Sequence, residues 1–137
     1  MNILVVDAQG GGLGKQLITA LKKNFPDMDI TAVGTNTMAT GVMLKAGASH
    51  AATGENAVVV GCRKADIIIG PLAIVIADSM FGEITPAMAL AVAQSNAKRI
   101  LIPFNHCDNI VVGIHDYNVT ALIQEAIDEV TKTLPPQ

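Results

Sequence analysis

Val5 to Gln16, VVDAQGGGLGKQ, places Gly10, Gly11, Gly12 and Gly14 between an apolar run and an amphipathic segment. Glycines at such a junction can turn backbone N–H groups toward an anion, because no side chain blocks close approach. A helix starting there adds the partial positive charge of its dipole. Lys15 can add a point charge, and Gln9 opens the loop. The expected ligand is therefore a phosphate-bearing small molecule, with a nucleotide as the expected cofactor class. The competing reading is a tight strand-to-helix turn that binds nothing.

The match to named phosphate loops is partial. In the dinucleotide fingerprint G-x-G-x-x-G, Gly10 and Gly12 fit, but the third position is Lys15, with Gly14 one residue early. The ribose-binding acid belongs at the end of the second strand, where this chain has Gly34-Thr35-Asn36; Asp27 and Asp29 fall at its other end. In the pattern G-x-x-x-x-G-K-[ST], Gly14-Lys15 fit, but Gln9 and Gln16 replace the first glycine and the Mg²⁺-binding hydroxyl. Nicotinamide chemistry and ATP hydrolysis are thus not expected.

Other strand ends bring polar groups to the same edge: Asp7 and Gln9, Thr35 and Asn36, and Asn105 with His106. Asp, Thr and Asn converging at one edge suit a sugar or nucleoside, although each alone commonly makes a turn or caps a helix. Glu55 and Asn56, in ATGENAV, stand at a loop-to-helix entry, where Glu55 is a candidate base or ribose ligand and otherwise a solvated helix start. Asp78, Ser79 and Glu83 lie near a turn, where two carboxylates can do acid–base work or simply cap a helix. His106-Cys107-Asp108 are metal ligands by type, but no second pair stands at ligand spacing, so no metal is expected. Cys62 precedes Arg63 and Lys64, which can activate a thiol; a Cys beside valines is more often core. His50 and His115 have no evident partner.

The elements that must position these groups alternate. Ile3–Val6, Ile30–Val33, Ile67–Ile69, Ile100–Ile102 and Ile110–Val112 are short β-branched runs, as in strands buried on both faces. Between them, Leu13, Leu17, Ile18 and Leu21 share one helical face, ended by Phe25-Pro26. Met38–Ala46 reads as a helix closed by Gly47. Thr85-Pro86 starts another over Ala87–Ser95, and Asn118 caps a last one with Leu122, Ile123, Ala126, Ile127 and Val130 inward. Ala57–Cys62 and Leu72–Ala77 read equally as strand or helix, and Gly70-Pro71 is expected to break the third strand. The fold class is α/β: a single doubly wound, mainly parallel sheet in a Rossmann-like three-layer sandwich. One domain is expected over residues 1–134, with 135–137 as a tail.

The chain has 137 residues, half of them apolar and only 15% charged, against about a quarter charged in an average domain. So few charges cover a small surface poorly, so a homo-oligomer is expected. The net charge is −3 and no basic cluster exceeds two neighbours, which excludes a nucleic-acid or anionic-lipid footprint. Two distant cysteines, no basic leader and no apolar run near membrane length point to the cytoplasm.

The stretches DAQGGGLGKQLI, AVGTNTMATGVMLKAGA, ATGENAVVV, ADIIIGPLAIVIADSMFGEITPAMA and ILIPFN together resemble the bacterial family called domain of unknown function 3842. The resemblance implies a single-domain protein of anaerobic, clostridial-type bacteria. It transfers no catalytic residue. The first functional expectation is thus a cytoplasmic protein that binds a phosphorylated small molecule through the amides of Gly10, Gly11, Gly12 and Gly14. Its rivals are an enzyme using Asp7, Glu55, Asp78 or Glu83 as base, and an oligomeric module whose glycine loop is only structural.

Overall fold

The computed structural model describes residues 1–104, 108–114 and 118–136. Five strands, β1 (Asn2–Asp7), β2 (Asp29–Gly34), β3 (His50–Thr53), β4 (Ile67–Pro71) and β5 (Lys98–Ile102), form one sheet in the order β3-β2-β1-β4-β5. All pairings are parallel. Five α-helices connect or follow them: α1 (Gly12–Asn24), α2 (Thr37–Lys45), α3 (Glu55–Lys64), α4 (Pro86–Gln94) and α5 (Val119–Thr133).

Alternation along each strand splits the core in two. Ile3, Val5, Ile67 and Ile69 pack on α1, α2 and α5; Leu4, Val6 and Ile68 pack on α3 and α4. Helices therefore cover both faces, which explains why the central strands are continuous apolar runs. The chain winds outward from β1 to β3, then crosses back through α3 to β4. The strand order reverses between β1 and β4, the place where open α/β sheets bind ligands.

Four features differ from the sequence reading. The strand β3 has no apolar run to announce it, because it is a largely exposed edge strand. The segment Ile110–Val112 is not a strand; Ile110 and Val112 are exposed in the connection after β5. Its β-branched run has strand propensity but pairs with no strand among the described residues. Strand β4 continues through Gly70-Pro71, pairing Gly70 with Leu101 and Pro71 with Ile102. Finally, His50 has a partner: its Nε2 is 3.4 Å from Asp29 Oδ1 on the exposed edge. The two ambiguous segments are both helical, Ala57–Cys62 within α3 and Leu72–Val75 as a short 3₁₀ turn.

Candidate functional site

Gln9 to Leu13 lies at the carboxyl end of β1, beside the point where strand order reverses. Each backbone amide and glycine there can be assigned. Gly11 is left-handed (φ +74°), and a Cβ on it would stand 2.8 Å from the Ala39 Cα. A Cβ on Gly14 would stand 2.5 Å from Met43 Sδ. Both glycines therefore serve the packing of α1 against α2. Their amides are also used, Gly11 donating to the Ala8 carbonyl at 3.1 Å and Gly14 to Asp7 Oδ2 at 2.7 Å.

Gly10 and Gly12 are different. A Cβ on either meets nothing within 4 Å, and neither has positive φ. Their amides and that of Leu13 have no hydrogen-bond partner among the described residues. Gly10, Gly12 and Leu13 line a cavity of about 190 Å³ together with Asp7, Gln16, Met80 and Phe104. Of the four amides expected to hold phosphate, two are thus open and two are consumed inside the fold.

Lys15 does not reach this cavity. It is exposed on the outer face of α1, beside Thr19 and Lys23, because one residue past Gly14 the helical rotation has carried the side chain away. Gln16, one residue further, lies on the cavity side.

Two carboxylates flank the loop. Asp7 is only 2% exposed. Its Oδ1 accepts from Ala8 N at 2.8 Å and its Oδ2 from Gly14 N, so it occupies one anion-binding position at the α1 N-terminus. Burial raises its pKa, the two amide bonds oppose that, and nearby Glu83 raises it further. Glu83 comes from the β4–α4 connection. Its Oε1 accepts from Gln9 N at 2.9 Å, Thr35 Oγ1 at 2.7 Å and Asn36 Nδ2 at 2.8 Å. Partial burial would raise its pKa, but the bonds from Thr35, Gln9 and Asn36 outweigh it and the net direction is down.

Asn36 is both a cap and a site residue. Its Oδ1 accepts from Ala39 N at the start of α2, while Nδ2 donates to Glu83 and to the Gln9 carbonyl. Gln9 is held in the left-handed region (φ +53°) between these contacts. The connection supplying Glu83 is itself strained, with φ positive at Asp78, Met80, Phe81 and Gly82. Such backbone persists only where surrounding contacts fix it. Here Ser79 Oγ donates to the buried Ala73 carbonyl at 2.7 Å, and Met80 is buried against the cavity.

The other candidates lie apart. Glu55 accepts from Thr85 Oγ1 at 2.6 Å, tying the exposed starts of α3 and α4 together. Asn56 is exposed, and so is Asp78. Asn105, His106 and Cys107 lie outside the described residues, as does His115. Cys62 is 4% exposed, and burial pushes its thiol up to about 11, so Arg63 and Lys64 do not activate it. Sequence reasoning missed Gln16, Met80 and Phe104 at the cavity; helical spacing from Leu13 offered a signal only for Gln16.

The family model for domain of unknown function 3842 matches residues 2–135. The chain belongs to that family. No curated protein sequence matches it. Among solved structures, this family member is similar to a dodecameric FMN-dependent UbiX-like decarboxylase from Escherichia coli O157:H7, at 15% identity and a TM-score of 0.49, over 96% of this chain and 95% of the other. No helix among the described residues is long and apolar enough to cross a membrane.

Proposed function

We propose that the protein binds a phosphorylated small molecule, with its phosphate on the amides of Gly10, Gly12 and Leu13. One observation carries this reading. The loop uses Gly11 and Gly14 to pack the fold, yet keeps two further glycines that internal packing does not require, lining a cavity with amides unpartnered among the described residues. Glycine there costs conformational entropy; close approach of a ligand to the backbone is a physical reason to retain it. The α1 dipole favours the same charge. A nucleotide is the preferred class, because Thr35, Asn36 and Glu83 gather polar groups beside the loop.

The test is native mass spectrometry after incubation with a mixed pool of nucleotides and sugar phosphates. The reading expects a retained mass carrying phosphate. Retention of phosphate-free compounds alone, or of none at millimolar concentrations, overturns it.

A second reading, acid–base catalysis on the same ligand, is favoured by the pairing of Asp7 and Glu83. Their environments push their pKa values in opposite directions, the arrangement that assigns acid and base roles to two neighbouring carboxyls. Asp7 is then the acid candidate and Glu83 the base candidate. Of the four carboxylates weighed from sequence, these two contact the glycine loop directly.

A further inference from the structure

A nucleotide-shaped ligand needs more than a phosphate cradle. In doubly wound folds, an acidic group at the end of the second strand takes the ribose hydroxyls. Here β2 ends at Gly34, and Thr35 and Asn36 follow. Neither residue is acidic. The fold brings a carboxylate to this point from elsewhere: the β4–α4 connection carries Glu83 onto Thr35 and Asn36, 48 and 47 residues away in sequence.

The way Glu83 is held leaves it half available. Three donors converge on Oε1, and Oε2 has no hydrogen-bond partner among the described residues. The residue is only partly buried. A carboxylate fixed through one oxygen presents the other as an oriented acceptor, with little side-chain entropy left to lose on binding. It is an acceptor only, so it selects for hydroxyl or amine donors.

The spacing to the loop is short. Oε1 is bonded to the amide of Gln9, and the next residue is Gly10, whose amide is open. Consecutive Cα atoms stand about 3.8 Å apart. Glu83 thus meets the loop at Gln9, which itself lines the cavity beside Gly10, so a ligand with its phosphate on Gly10 would carry its sugar toward the neighbouring residue that Glu83 holds.

Charge argues the same way. Glu83, bonded to Gln9 next to Gly10, places a carboxylate at the edge of the loop, which disfavours a bare phosphate dianion. A ligand that also donates a hydroxyl to Glu83 offsets that repulsion with a charge-assisted hydrogen bond. We propose that Glu83 Oε2 accepts a ribose hydroxyl, and that the ligand class is a ribonucleoside 5′-phosphate. This rests on the phosphate-binding reading above and adds the sugar to it.

The chain contains no Trp, and Phe81, two residues before Glu83, is fully exposed. Phe81→Trp therefore installs one fluorophore beside the site. This protein and its Glu83→Gln derivative are titrated with adenosine and uridine 5′-monophosphates, with their 2′,3′-dideoxy analogues, and with inorganic phosphate. Calorimetry repeats the ranking with Phe81 retained. Glu83→Gln keeps an oxygen for the three donors but replaces the free acceptor by a donor.

With Glu83 present, the ribonucleotides should bind about tenfold or more tighter than the dideoxy compounds. Glu83→Gln should erase that preference while leaving inorganic phosphate equally or more tightly bound, which also reports an intact loop. Glu83→Asp, one methylene shorter, should lose the preference as well. Equal binding of ribo and dideoxy compounds to the Glu83 protein overturns the sugar assignment alone. Binding of none of the probes overturns it together with the phosphate reading.

Discussion

The carboxylate of Glu83 accepts a hydrogen bond from Thr35 Oγ1 at 2.7 Å, across 48 residues of chain. This contact ties the β4–α4 connection to the end of β2, and through Gln9 to the glycine loop. Three segments with no sequence signal in common thus become one surface. Removing the acceptor should loosen all three. Glu83→Ala leaves three donors without their carboxylate and should cost about 1–3 kcal/mol, measured by urea unfolding at neutral pH. A cost near zero would mean that water replaces the carboxylate freely.

The same pair of carboxylates gives stability two opposite pH dependences. Glu83 has a lowered folded pKa, so its contribution is present above the unfolded glutamate value, about 4.3, and is lost as pH falls through the folded pKa. Asp7 has a raised folded pKa, so its contribution is present below the unfolded aspartate value, about 3.9, and is lost as pH rises through the folded pKa. Unfolding free energies from pH 3 upward should therefore show Glu83→Gln converging on the parent protein at the acid end. Asp7→Asn should remove the part of the decline on the rising side. Identical pH profiles for the parent and both variants would contradict the two assignments.

The four loop glycines should separate under alanine substitution. Gly11→Ala combines a left-handed backbone with a clash against Ala39 and should destabilise by about 1–3 kcal/mol. Gly12→Ala enters the first turn of α1 with open space around its Cβ and should stabilise by about 0.4–1 kcal/mol. Thermal unfolding of the two variants checks the sign. If both were equally destabilising, the division into packing and open glycines would be wrong.

Phe81 carries strain without visible packing benefit: its φ is +57° and its side chain is fully exposed. Asparagine tolerates that conformation better, so Phe81→Asn should raise stability by roughly 0.5–1 kcal/mol. A loss of stability instead would reveal that the ring is packed in solution, as against a second copy of the chain.

Cys62, on the buried face of α3 with its thiol pushed up to about 11, should resist iodoacetamide at pH 8 in the native protein and react on unfolding, by peptide mapping. Rapid native labelling would contradict the core assignment.

Much of the scaffold was legible because it rests on local patterns. The runs Ile3–Val6 and Ile67–Ile69 announce strands buried on both faces, and Thr85-Pro86 and Asn118 announce helix starts that the structure uses as caps. The edge strand β3 was hidden because its largely exposed alanines carry no periodic signal. The site was legible only as a place. Which glycine amides are open depends on Ala39, Met43 and Asp7, contacts set by packing between α1, α2 and β1. Glu83 read as a possible cap because its partners lie 47 to 74 residues away.

Gly10 and Gly12, on the reading proposed above, are kept open for phosphate. Thermal unfolding of the parent and Gly12→Asp, each with and without a panel of nucleoside monophosphates, tests it most directly. A carboxylate at the first turn of α1 favours the helix dipole by about 0.3–1 kcal/mol and stands where the ligand's charge would be. Without ligand, Gly12→Asp should unfold at the same or a higher temperature than the parent. The parent should gain several degrees with at least one nucleotide, and the variant should gain nothing. An equal ligand-dependent gain in both proteins, or none in the parent, would contradict phosphate binding at these glycines.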